Sequence, residues 1–176
     1  MKKLIFSIAF FLSSNAVLSQ ENFFRVYSDS ISLVHDANQI ISQFTKDVNS
    51  INPIFATQTK AILNTKPYLI FYSPNSNQVN LPIWHQVIPA QKKFFYELGG
   101  DEEKGKEMFG LFFNGYFLAH EMGHALQKAA NKKESDLYQN EYFANSIAIL
   151  YWKKENRTKE LLSCYNYAKK NGEPIT

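Results

Sequence analysis

The sequence predicts an α+β fold for a single domain. Three observations lead there. Apolar residues recur at helical spacing in the segments at either end of the chain. A β-branched and aromatic stretch, residues 66–87, lies between them. The 176 residues suit one compact domain. Helices, then a small sheet, then helices is the order of an α+β arrangement.

The first nineteen residues stand apart from that domain. They read MKKLIFSIAFFLSSNAVLS: two lysines, a short apolar run, then small and polar residues. This is the layout of a secretory signal peptide, with cleavage expected between Ser19 and Gln20. The apolar run is shorter than the ~20 residues a spanning helix needs, and no later segment qualifies. The expected product is a secreted or periplasmic domain of residues 20–176 with no membrane span.

The remaining elements follow in order. Residues 29–48 carry Ile31, Val34, Ile41, Phe44 and Val48 at helical spacing, with Ser28 or Asp29 as cap; His35 on this helix reads as a surface residue. Pro53 can open a short helix reaching Leu63. Residues 66–73 read as a strand, SPNSN as a turn, and residues 78–87 as a second strand that Pro82 demotes to an edge or an irregular strand. Pro89 opens a helix ending near Gly99 and Gly100. Asp101 caps a long helix that runs to about Lys128, with Glu102 and Glu103 in its first turn. Ser135 caps the next helix, and Thr158 a last one ending near Gly172.

Composition excludes several function classes. The formal charge is +3, and Lys2 and Lys3 would leave with the signal peptide. The remaining basic residues are scattered, which argues against a nucleic-acid partner. Cys164 is the only cysteine, so no internal disulfide exists and the thiol reads as a small buried hydrophobe. The 15 Phe, 10 Tyr and 2 Trp supply the core instead.

Within the long helix stands FLAHEMGHAL, residues 117–126. Two histidines and a glutamate are costly in an apolar helix unless something offsets them. His120 and His124 are one turn apart, so both rings leave one face and can close on one metal ion. Glu121 points in a neighbouring direction, within reach of a metal-bound water, as a general base. Imidazole ligands with an open position suit Zn2+. A third ligand is required, and Ala130 stands where the extended form of the motif would place a histidine. Glu141 on the next helix can return to the site. Asn145, one turn further, can accept the ring N–H of a ligating histidine and so fix its tautomer. Glu134 and Asp136 are competing carboxylates.

HEMGH followed by EYFAN resembles the gluzincin class of zinc metallopeptidases, and the E-x-x-A-N form resembles its small ImmA/IrrE-type members. The resemblance covers residues 101–153. It implies a zincin-like fold, a small mixed sheet packed on the H-E-x-x-H helix and a returning glutamate helix. It also implies His120, His124 and Glu141 as zinc ligands and hydrolysis of a peptide or protein substrate with Glu121 as base. An oxyanion donor is expected as well, with His85 and Tyr138 as candidates. An edge strand, 67–73 or 78–84, could pair with an extended substrate. Two rival readings are a non-catalytic zinc-binding protein and a hydrolase of another amide, such as cell-wall peptide. The oligomeric state is open.

Overall fold

The computed structural model describes residues 23–63, 70–132 and 136–172. The expected signal peptide, residues 66–69 of the expected strand, Glu134 and the expected cap Ser135 lie outside them.

Helix α1, Ser30–Ile51, starts where Asp29 Oδ1 accepts the Ser32 N–H at 2.8 Å. Its buried face includes Leu33, Ala37, Ile40, Ile41 and Phe44. The next expectation is overturned. Residues 53–63 do not form a helix; they run extended into strand β1, Lys60–Leu63. Tertiary pairing overrides the proline start signal here. Strand β1 pairs in parallel with β3, Gln78–Leu81. The α1 residue Asn38 bonds both the Ala61 N–H, at 3.0 Å, and the Ala61 carbonyl, at 3.3 Å. Asn38 thereby stands in for a neighbouring strand.

Strand β2, Phe71–Ser73, pairs antiparallel with β3, so the sheet is mixed and its order is β1-β3-β2. Strand β3 is therefore central, which overturns the edge reading of Pro82 and leaves the irregular one, since the strand stops at Leu81. The last paired residue is Leu81, so the missing N–H of Pro82 falls beyond the ladder and costs it nothing. After Pro82 the chain makes a 3₁₀ turn, Trp84–Gln86, instead of continuing as strand.

Helix α2, Pro89–Gly99, ends at Gly100, whose φ of 100° suits glycine. Helix α3, Glu102–Leu111, is capped by the Asp101 side chain on the Lys104 N–H. The expected single helix from 101 to 128 is interrupted by a π-helical turn, Phe112–Tyr116, before α4, Phe117–Ala129. The segment ahead of α1 fits into that turn. Asn114 Nδ2 donates to the Arg25 carbonyl at 2.7 Å, and the Phe24 ring fills the space where a side chain on Gly115 would stand.

Helix α5, Leu137–Lys154, is capped by Asp136, not Ser135: the Asp136 carboxylate accepts the Tyr138 N–H at 2.9 Å. Helix α6, Thr158–Gly172, carries Cys164 in a buried position. One core joins α1, the sheet, α4 and α5 through residues such as Ile41, Leu81, Leu118, Met122 and Trp152. Among the described residues no helix is long and apolar enough to cross a membrane. The molecule is thus α+β, with α4 between the sheet and α5.

Candidate metal centre

Helices α4 and α5 meet where both are smallest. A Cβ added to Gly123 would lie 2.8 Å from the Ala144 Cα, so the two backbones are as close as glycine and alanine allow. That approach brings Glu141 to the histidine pair. His120 Nε2 is 3.2 Å from His124 Nε2. Glu141 Oε2 is 3.2 Å from His120 Nε2, and Oε1 is 3.4 Å from His124 Nε2. Bonds of about 2.0–2.2 Å at tetrahedral angles would separate neighbouring ligand atoms by about 3.3–3.6 Å. The contacts lie near that spacing, though the two carboxylate contacts are made by different Glu141 oxygens, and one ligand atom from each residue falls within 4.8 Å of the others, a group that could hold a metal ion.

The two Nε2 atoms face one another and the Glu141 carboxylate, while each Nδ1 meets an amide oxygen. His120 Nδ1 lies 3.0 Å from Asn145 Oδ1 and His124 Nδ1 lies 3.0 Å from Gln127 Oε1. Each ring therefore carries its proton on Nδ1. Burial first, and the neighbouring His124 second, lower the pKa of His120 and favour its neutral form. In that tautomer both Nε2 lone pairs and the Glu141 carboxylate face one point, and an imidazole and carboxylate donor set suits zinc.

The partners behind the ligands are themselves held. Tyr116 Oη donates to Asn145 Oδ1 at 2.9 Å. Gln127 Nε2 donates to Asn140 Oδ1 at 3.0 Å, and Asn140 Nδ2 donates to the Asp136 carbonyl at 3.0 Å. This chain of amides fixes which Gln127 atom faces His124. Asn145 was readable from its spacing to Glu141. Gln127, Asn140 and Tyr116 were missed. A signal existed for Gln127, which is buried three residues after His124 and so shares its face.

Glu121 is buried beside the pair and is not one of the converging ligands. Desolvation pushes its carboxyl up to about 7, against lowering by His124 and by a hydrogen bond from the backbone of Tyr72. That bond, Tyr72 N to Glu121 Oε2, is 2.7 Å long. His124 and Glu141 open onto a cleft of about 480 Å³, walled by Tyr72 and Pro74 on one side and Leu137 and Asn140 on the other.

The other candidates lie elsewhere. His85 is exposed on the 3₁₀ turn and is not part of the converging group. Tyr138 shares α5 with Glu141, but its exposed ring stacks on Tyr142 with centroids 6.3 Å apart. Asp136 spends its carboxylate on the α5 cap. His35 is exposed beside Gln39. No family model, no curated protein and no solved structure matches the chain.

Proposed function

We propose that the chain is an exported zinc-dependent peptidase of gluzincin type, with a zincin-like packing of sheet, α4 and α5. One observation carries this reading: His120 Nε2, His124 Nε2 and the Glu141 carboxylate converge, with contacts of 3.2 to 3.4 Å, beside a buried carboxylate that does not join them. His120, His124 and Glu141 would hold the ion, which supplies Lewis acidity towards water and a substrate carbonyl.

The chain's own residues do the rest. Asn145 and Gln127 hold the ring protons on Nδ1 and so aim both Nε2 lone pairs at the same point. Glu121 takes a proton from the attacking water and delivers it to the leaving amine. The cleft between β2 and α5 receives the substrate chain. The buried Glu121 favours an enzyme over a binding protein, because a module that only binds zinc gains nothing from a second carboxylate desolvated next to it.

The test is metal analysis of the purified protein with a broad peptide-library digest, run on the wild type and on Glu121→Gln. The expected wild type carries one zinc per chain and cleaves peptides. The variant keeps its zinc and loses ~10²–10⁴-fold in rate. A wild type that holds zinc and cleaves nothing returns the binding-protein reading. A variant that loses zinc makes Glu121 a ligand.

A further inference from the structure

We propose that the backbone N–H of Tyr72 is the positioning group that holds Glu121 in place for proton transfer. The inference rests on the peptidase reading of the same site, and it concerns a bond within the chain itself.

Among the described residues, strand β2 pairs with β3 on one side only. Along an antiparallel strand, successive N–H groups alternate between the partner and the outside. The Tyr72 N–H bonds Glu121 Oε2 at 2.7 Å, so it points away from β3, while the amides of Phe71 and Ser73 point towards it. The outward amide of an edge strand normally faces water or a new strand. Here it is taken by a carboxylate 49 residues away in sequence, on α4.

The bond does two things for Glu121. It supplies the one hydrogen bond this buried carboxylate receives from the described residues. It also ties Oε2, which leaves Oε1 as the oxygen free to accept a proton. A glutamate side chain has three rotatable bonds, and an untethered carboxylate would sample positions away from the reacting water. Displacements of about 1 Å can cost ~10²-fold in rate. The Tyr72 hydroxyl is engaged elsewhere, on Asn77 Oδ1 at 3.0 Å, so the strand backbone and not the phenol is the functional part. The outer edge of β2 is consequently not a vacant docking edge at Tyr72: a substrate strand would compete with Glu121 for that amide.

Two measurements decide this. The first needs neither metal nor activity. Amide hydrogen exchange at Tyr72 should be at least tenfold slower in the wild type than in Glu121→Ala, with Ser73 and Val79 unchanged between them. Equal Tyr72 rates would overturn the proposal. The second replaces the Tyr72 amide by an ester, through an α-hydroxy acid at that position, and compares it with the wild type. The ester should lower kcat about 10–100-fold at unchanged KM and zinc content. An unchanged kcat overturns the proposal. A raised KM at unchanged kcat also overturns it and makes the amide a substrate-docking group. If the wild type cleaves nothing, the peptidase reading fails, and the exchange measurement still decides whether the amide holds Glu121.

Discussion

Gly123 on α4 lies so close to Ala144 on α5 that a Cβ on Gly123 would meet the Ala144 Cα at 2.8 Å and its Cβ at 3.2 Å. The first residue lies inside HEMGH and the second inside EYFAN, so each motif carries a proposed ligand and a contact surface together. Gly123→Ala gains ~1 kcal/mol of helix propensity, but it sets a methyl against backbone, an overpacking that costs ~1–3 kcal/mol. The expected result is a small net loss of stability in a urea melt and at least tenfold weaker zinc binding by dialysis, because Glu141 moves with α5. Unchanged zinc affinity would show that this contact does not set the site.

The same pair marks what was legible in the sequence. Short-range spacing was readable: His120 to His124, Glu141 to Asn145, and the small Ala144 each follow from helix geometry alone. The caps Asp29 and Asp101 were readable for the same reason, since their partners are three residues away. Signals that tertiary structure overrides were misread. Pro53 marks no helix because β1 is claimed by β3 and Asn38, and Pro82 marks no edge because it falls just past the ladder. The π turn at Phe112–Tyr116 was invisible because its cause, the packing of Phe24 and Arg25, lies about 90 residues upstream. Tyr72 was hidden for a related reason, as its contribution comes from backbone, which carries no residue-type signal.

Glu141→Ala should lower zinc affinity severely, because two ligands are fewer than a stable zinc site uses. Asp136→Ala should not, since that carboxylate caps α5 at the Tyr138 N–H, and its loss should appear as a lower melting temperature at full zinc occupancy. Isothermal titration with zinc separates the two. Retained affinity in Glu141→Ala would remove the third ligand from the proposed site.

Cys164 should be inert. It is buried, and desolvation pushes its thiol from 9.0 up to about 12. At pH 8 iodoacetamide should leave the folded protein unmodified and label it fully in urea. The raised folded value makes the burial of the neutral thiol stabilising below about pH 9. That contribution should fade as pH rises from there towards 12. Labelling of the folded protein at pH 8 would contradict the burial.

Phe23 limits where the proposed signal peptide could end. Its ring is 0% exposed, stacked against Trp152 and edge-on to Tyr27. Cleavage between Ser19 and Gln20 leaves Phe23 and Phe24 on the domain, and a cut beyond them would strip aromatic rings from the core. N-terminal sequencing of exported protein should start at or near Gln20. Phe23→Ala should cost ~3–5 kcal/mol in a denaturant melt. An exported chain beginning after Phe24 and still stable would refute both statements.

The amide chain behind His124 gives the most specific prediction. Gln127 accepts from His124 Nδ1 and donates to Asn140, which donates to the Asp136 carbonyl. Both amides are buried, so neither can take water as a ready substitute. Gln127→Leu keeps most of the volume and removes the acceptor. His124 is then free to place its proton on Nε2, where a metal would have to displace it. Zinc affinity should fall about 10–100-fold, the usual effect of losing a partner behind a ligand. Gln127→Glu keeps an acceptor for His124 but takes away the donor to Asn140, so affinity should be largely retained while thermal stability drops. If both variants lose zinc equally, the Asn140 link matters as much as the acceptor; if neither does, the His124 proton is fixed by something other than Gln127.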